Sequence, residues 1–132
     1  MTMEIPRPVL KGSKALVVGI ANEHSIAYGC AKAFRELGAD VAITYLNEKA
    51  RPYVEPLARG LDAQLFLPLD VSVDGELDAV FDAIGRQWGQ LDILVHSIAF
   101  APKEDLQGGL LNCSAAGFAK AMDVSCHSFV RM

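Results

Sequence analysis

Four short apolar runs set the limits on what this chain can become. They occupy residues 15–20, 40–45, 64–67 and 92–97 and lack the polar/apolar alternation of a half-exposed strand. A strand without that alternation is buried on both faces. Two intervening stretches carry helical periodicity. Ile26, Cys30, Ala33, Phe34 and Leu37 share one face over residues 26–37, and Val73, Leu77, Val80, Phe81, Ile84 and Trp88 share one over residues 73–88. Buried strands alternating with amphipathic helices predict an α/β fold, a parallel sheet covered on both sides. Right-handed crossovers then make it doubly wound. Phe118, Met122, Cys126, Phe129 and Val130 mark a last helix that runs to the chain end at Met132. The expected fold is therefore cut off after about four strands and the following helix.

Local signals refine the elements. Ser25 is placed to cap the first helix, and Gly38 to end it in a left-handed turn. Ser72 is the expected cap of the helix over 73–88, with Asp74 and Glu76 suited to its positive start. Residues 48–60 predict a short, irregular helix, because Pro56 removes an internal donor.

The 132 residues, 52% hydrophobic and 21% charged, suffice for one domain with one core. A net charge of −4 with scattered Lys and Arg excludes a nucleic-acid footprint. Cys30, Cys113 and Cys126 are odd in number and form no C-x-x-C, which argues against a disulfide framework or a metal site. Cys30 and Cys126 read as small buried hydrophobes. No run approaches the ~20 apolar residues of a membrane span. Residues 1–10 show no apolar core of a secretory signal, so the expected location is cytoplasmic.

Doubly wound folds bind ligands beyond the carboxyl ends of their strands, and four places there carry candidate residues. After the first run, Gly19 permits a tight turn and close approach, Ser25 adds a hydroxyl, and Gly29 lets the helix pack near the sheet. The free N–H groups of a helix start suit a dinucleotide pyrophosphate. The spacing departs from G-x-G-x-x-G, and Ser25 also reads as an ordinary cap. After the second run, residues 44–47 hold no Asp or Glu for a ribose 2′-hydroxyl. Lys49 and Arg51 are near enough to meet a 2′-phosphate, or are solvated helix charges. After the third, the Asp70 carboxylate suits an adenine amino group and the Val71 backbone its ring edge; Asp70 as a loop residue is the rival reading. After the fourth, the small residues from Ser97 onward let a nicotinamide ribose lie against the backbone, while His96 reads as structural.

Together these places resemble one family. Gly19-Ile20-Ala21, Ser25-Ile26-Ala27-Tyr28-Gly29, Asp70-Val71 and His96-Ser97-Ile98-Ala99-Phe100-Ala101-Pro102 are similar to the enoyl-acyl-carrier-protein reductases, a divergent branch of the short-chain dehydrogenase/reductases. Common short-chain dehydrogenases carry T-G-x-x-x-G-x-G and N-N-A-G at two of these places. The resemblance runs from about Leu10 onward and implies an incomplete Rossmann-type NAD(P)-binding domain over residues 1–132. It implies NADH, with NADPH as second candidate, held by Gly19, Ser25 and Ile26 at the pyrophosphate, Asp70 and Val71 at adenine, and Ser97, Ile98 and Ala99 at the nicotinamide. Phe100 and Ala101 would border the acyl pocket. The implied activity is reduction of the 2,3 double bond of an enoyl thioester on acyl carrier protein, in a homotetramer that packs through the helix around Asp123-Val124-Ser125.

Leu46 stands where the family often has Gln, Ala99 where many have Gly, and His127 where Tyr is frequent. The family's Y-x-x-x-x-x-x-K pair lies beyond Met132, so no catalytic residue is assigned. A non-catalytic nucleotide-binding fragment and another short-chain dehydrogenase/reductase are the alternatives. An open edge at the fourth strand and an apolar face on the last helix predict a chain that is oligomeric or poorly soluble.

Overall fold

The computed structural model describes residues 8–132. The expectation about a secretory signal rests largely on residues 1–7, which lie outside the described residues. The chain forms two compact units, one ending at Ser97 and the other spanning Ile98–Met132.

The first unit alternates strand and helix: β1 (Lys14–Val18), α1 (Ile26–Glu36), β2 (Asp40–Tyr45), α2 (Arg51–Gly60), β3 (Leu65–Pro68), α3 (Glu76–Gln87) and β4 (Ile93–His96). The sheet is parallel throughout, in the order β3-β2-β1-β4. Register places Leu16 beside Ala42 on one side and Leu94 on the other. This is the expected doubly wound, Rossmann-like arrangement. The two inner strands are buried, with Leu16, Val17, Val41 and Ile43 fully so, while β3 and β4 at the edges are mostly half-buried.

The helix α1 begins at Ile26 as expected and ends just before Gly38, whose φ of +99° is the left-handed turn foreseen there. Its buried face is narrower than the periodicity implied. Ala27 and Ala31 are fully buried in the core, Cys30 and Phe34 are half-buried, and Ile26 and Ala33 are exposed. Small residues one turn apart let the helix axis approach the sheet, so the larger residues sit on its flanks.

The helix α2 starts at Arg51, three residues later than expected, because Asn47 draws residues 47–50 into a turn. Its side-chain oxygen accepts from the Ala50 N–H at 3.0 Å. Pro52 lies in its first turn, where a missing donor costs nothing, and Pro56 is tolerated inside.

The helix α3 also begins later, at Glu76 after Gly75, so Ser72 is not its cap. The Ser72 N–H and hydroxyl both donate to Asp70 Oδ1, at 2.9 and 2.6 Å. A side-chain turn has outcompeted the helix at these residues, leaving Val73 exposed and Asp74 outside the first turn. At the opposite ends of the strands, Asp92 accepts from the Lys14 N–H at 2.8 Å, and the Lys14 ammonium pairs with Asp40 at 2.5 Å. These bonds tie the starts of β1, β2 and β4 together.

The second unit contains α4 (Lys103–Leu106), a 3-10 turn (Leu110–Asn112), α5 (Ala115–Met122), a π turn (Asp123–His127) and α6 (Ser128–Arg131). Ser114 caps α5 by accepting from the Gly117 N–H at 2.9 Å. The Asp105 carboxylate accepts from the Ser114 N–H at 2.5 Å and lies where a Cβ on Gly117 would be. The last helical stretch is thus as expected, apart from the π turn at its middle. Its apolar stripe is exposed at Phe118, Met122, Phe129 and Val130. Cys126, expected to be buried, is exposed along with that stripe.

Leu16→Ala empties a fully buried site on the central strand. It should lower unfolding free energy by about 3 kcal/mol, whereas Leu111→Ala, at a residue 98% exposed, should leave the urea midpoint unchanged.

Candidate functional site

The chain leaves β1 toward β2 on one side, and β4 joins β1 on the other. The carboxyl ends of β1 and β4 therefore flank the point where strand order reverses, the place such folds use for ligands. Gly19 follows β1 with φ +115°, and Ser97 follows β4, its N–H donating to the Val18 carbonyl at 2.9 Å. A Cβ at Gly19 would overlap the Ser97 carbonyl. Glycine is required there both by backbone conformation and by contact.

Between β1 and α1 the chain folds back on Ser25. Its Oγ accepts from the Ala21 N–H at 2.9 Å and the Asn22 N–H at 3.1 Å. Ser25 occupies the cap position with extended backbone, but its side chain does not cap the helix. Two consequences follow. With two donors already accepted, the hydroxyl still has its own hydrogen to donate. The first-turn N–H groups of Ile26, Ala27 and Tyr28 have no intrahelical acceptor. Donors at a positive helix end suit an anion. Ile26 is 82% exposed at this corner. Gly29 does not do what its spacing suggested: it is exposed, and a Cβ there would meet nothing within 4 Å.

At the end of β3, the Leu69 N–H donates to the Tyr45 carbonyl at 2.8 Å, which carries the ladder up to Asp70. Asp70 is half-buried, its Oδ1 taken by Ser72 and its N–H given to Glu76 at 2.6 Å. Its Oδ1 builds the loop, as the rival reading of this residue had it. Val71 beside it is buried.

The end of β2 carries charge that residues 44–47 did not reveal. Tyr45 is buried against Phe66 with ring centroids 4.6 Å apart, and its hydroxyl donates to Glu48 Oε1 at 3.3 Å. Burial, followed by the Glu48 carboxylate, holds the Tyr45 phenol above its usual pKa. Arg51 lies 5.6 Å from the Tyr45 ring and pairs with Glu48 at 3.6 Å and Glu55 at 3.4 Å. These carboxylates, Glu55 first, raise the Arg51 pKa. Glu48 was missed because it stands three residues past the strand, and only the folded turn returns it to Tyr45.

Six sequence-assigned residues thus lie in the first unit beyond the carboxyl ends of β1, β3 and β4: Gly19, Ser25, Asp70, Val71 and Ser97 on loops, and Ile26 as the first residue of α1. Ile98 (half-buried) and Ala99 (exposed) open the second unit. Within that unit, Ser125 on the π turn accepts from the Phe100 N–H at 3.0 Å and donates to the Phe100 carbonyl at 3.3 Å. No sequence signal had assigned Ser125 to this task. Among the described residues no group of three or more potential ligands gathers for a metal ion, and no helix is long and apolar enough to cross a membrane.

A parallel sheet of order β3-β2-β1-β4, with a glycine turn at its reversal point and helices between its strands, defines a Rossmann-like protein. The sequence profile of the enoyl-(acyl carrier protein) reductases matches residues 19–132, and the chain belongs to that family. The NADH-dependent enoyl-acyl-carrier-protein reductase of Aquifex aeolicus is 44% identical over 124 residues, covering 94% of this chain and 46% of the relative. That of Haemophilus influenzae is 42% identical over 124 residues, with 93% and 47% covered. The enoyl-acyl-carrier-protein reductase of Anaplasma phagocytophilum, solved in complex with NAD, superposes with a TM-score of 0.87 at 39% identity, over 98% of this chain and 49% of that one. This chain spans about half the length of the relatives it matches.

Replacing Gly19 with Ala adds a backbone clash and a strained φ, and should cost more than about 2 kcal/mol of stability. Gly29→Ala, in open space on a helix, should be neutral or gain up to about 1 kcal/mol. Thermal melts of the two variants side by side check this contrast.

Proposed function

We propose that this chain is the nucleotide-holding portion of an NADH-dependent enoyl-acyl-carrier-protein reductase. The observation that carries the reading is the Ser25 turn. Its hydroxyl is fixed by two accepted N–H bonds and left with a hydrogen to donate, beside open first-turn N–H groups. Those donors fit a pyrophosphate, and Gly19, where a Cβ would strike the Ser97 carbonyl, lets the loop turn tightly toward them. NADH, when bound, supplies the hydride that reaches C3 of the enoyl thioester.

The chain's own residues bind and orient. Gly19, Ser25 and Ile26 hold the pyrophosphate and its ribose. Asp70 accepts from the adenine amino group through Oδ2, and the Val71 backbone meets the ring edge. Ser97 lies along the nicotinamide ribose, and within the second unit Phe100, its backbone pinned by Ser125, borders the acyl chain. Protonation at C2 needs a Tyr hydroxyl with a Lys seven residues later. Tyr28, Tyr45 and Tyr53 are followed at that spacing by Arg35, Pro52 and Gly60. The 132 residues therefore supply placement without the acid, and support a second reading of this chain as a nucleotide binder with no reductase activity of its own.

In the whole protein the partners are an enoyl thioester on acyl carrier protein and further subunits of a homotetramer. The exposed stripe of Phe118, Met122, Phe129 and Val130 supports such packing. The compartment proposed for it is the cytoplasm.

Titrating the purified chain with NADH by fluorescence should give saturable binding. Ser25→Val and Asp70→Leu should each weaken it about tenfold, the scale of a lost hydrogen bond to a charged group. Absence of binding by the folded chain, or variants that bind as the parent does, overturns the assignment. Enoyl thioester reduction by the 132 residues alone should not exceed background.

A further inference from the structure

The end of β2 is where a dinucleotide fold reads the adenosine ribose: a carboxylate there favours a free 2′-hydroxyl, and a nearby Arg accommodates a 2′-phosphate. This chain has both groups within a few residues, Glu48 and Arg51, so their state in the folded protein decides the outcome.

Arg51 is paired with carboxylates of its own chain. Its Nη1 lies 3.6 Å from Glu48 Oε2 and its Nε 3.4 Å from Glu55 Oε2, while its guanidinium faces the Tyr45 ring at 5.6 Å. Glu48 is anchored in turn, since its other oxygen accepts from the buried Tyr45 hydroxyl at 3.3 Å. Glu55 is steadied from the far side by Arg59, at 2.9 Å. The ladder therefore runs from the last residue of β2 through Glu48, Arg51 and Glu55 to Arg59. Each ion pair is individually weak, because at least one partner in each is well exposed to water. Collectively they turn the guanidinium toward two carboxylates of its own chain.

We infer that Glu48 and Glu55 act as specificity-determining residues that withhold Arg51 from a ribose 2′-phosphate, so that the site takes a nucleotide with a free 2′-hydroxyl. This rests on the nucleotide reading of the neighbouring loops. A 2′-phosphate arriving over β2 would meet the Glu48 carboxylate as a like charge and would have to break Arg51 away from it. A 2′-hydroxyl meets the same carboxylate as a hydrogen-bond acceptor. Lys49 stays in place throughout, so a change produced at Glu48 or Glu55 is not a change in Lys49.

The experiment measures affinities of the parent chain, Glu48→Gln, Glu55→Gln, the double variant, and the double variant with Arg51→Met. The ligands are NADH and NADPH, together with 5′-AMP and 2′,5′-ADP, which carry only the adenosine half. The parent should prefer NADH over NADPH and 5′-AMP over 2′,5′-ADP. Each Glu→Gln change should move both ratios toward the 2′-phosphorylated ligand by about two- to fivefold, the range for exposed charge pairs. The double variant should move them further, and adding Arg51→Met should cancel the gain. Parent preference for 2′,5′-ADP, ratios unmoved by the Gln changes, or a gain that survives Arg51→Met overturns the inference while leaving nucleotide binding intact. A parent chain that binds none of the four ligands instead removes the nucleotide reading, and this inference with it.

Discussion

The close approach of Gly19 to the Ser97 carbonyl is the constraint on which the candidate site depends. β1 pairs with β2 on one side and β4 on the other, so the loops leaving β1 and β4 are forced into neighbouring space. Any side chain at Gly19 would push those two loops apart. Because the residue is glycine, the Ser97 N–H can continue the ladder to the Val18 carbonyl, and the chain can turn at once toward the start of α1. The buried Ala27 and Ala31 then draw that helix against the sheet and fix where its open N–H groups stand.

Along the carboxyl edge of the sheet the polar groups are sorted by element. The loop after β1 offers donors, namely the Ser25 hydroxyl and the first-turn N–H groups of α1. The loops after β2 and β3 offer carboxylates: Glu48, shared between the Tyr45 hydroxyl and Arg51, and Asp70, whose Oδ1 holds its own loop. A ligand that is anionic at one point and carries hydroxyl and amino groups further along matches this order. The opposite edge of the sheet has a different character: there Lys14, Asp40 and Asp92 satisfy one another. Polar groups at that end are spent on register, which keeps the carboxyl end as the place where bonding capacity remains.

Much of this was legible in the residues. The fold class followed from apolar runs alternating with 3.6-residue periodicity, and Gly19, Ser25 and Asp70 were found by asking what stands after each run. Errors arose where a side chain competed locally with a helix. Ser72 reads as a cap but is captured by Asp70, and residues 48–50 read as helix but are turned by Asn47. Gly29 and Cys126 failed for another reason: spacing names a helix face but does not say what, if anything, lies against it. Both are exposed.

Strand and helix identity, their order and the chemical type of each loop were determined by the sequence alone, because hydrophobic periodicity and glycine are local properties. The family, too, was carried by short contiguous elements. Only the tertiary structure decided how individual polar groups are used. Whether the Ser25 hydroxyl caps a helix or accepts from its own loop depends on a turn that brings Ala21 and Asn22 back to it. Whether Arg51 is free or held depends on Glu48 and Glu55 converging from a loop and from the next turn of α2. Ser125 reaches Phe100, 25 residues away, through a π turn that no periodicity announced. Hydrogen bonds and ion pairs act over a few ångströms, and only the folded chain sets those distances.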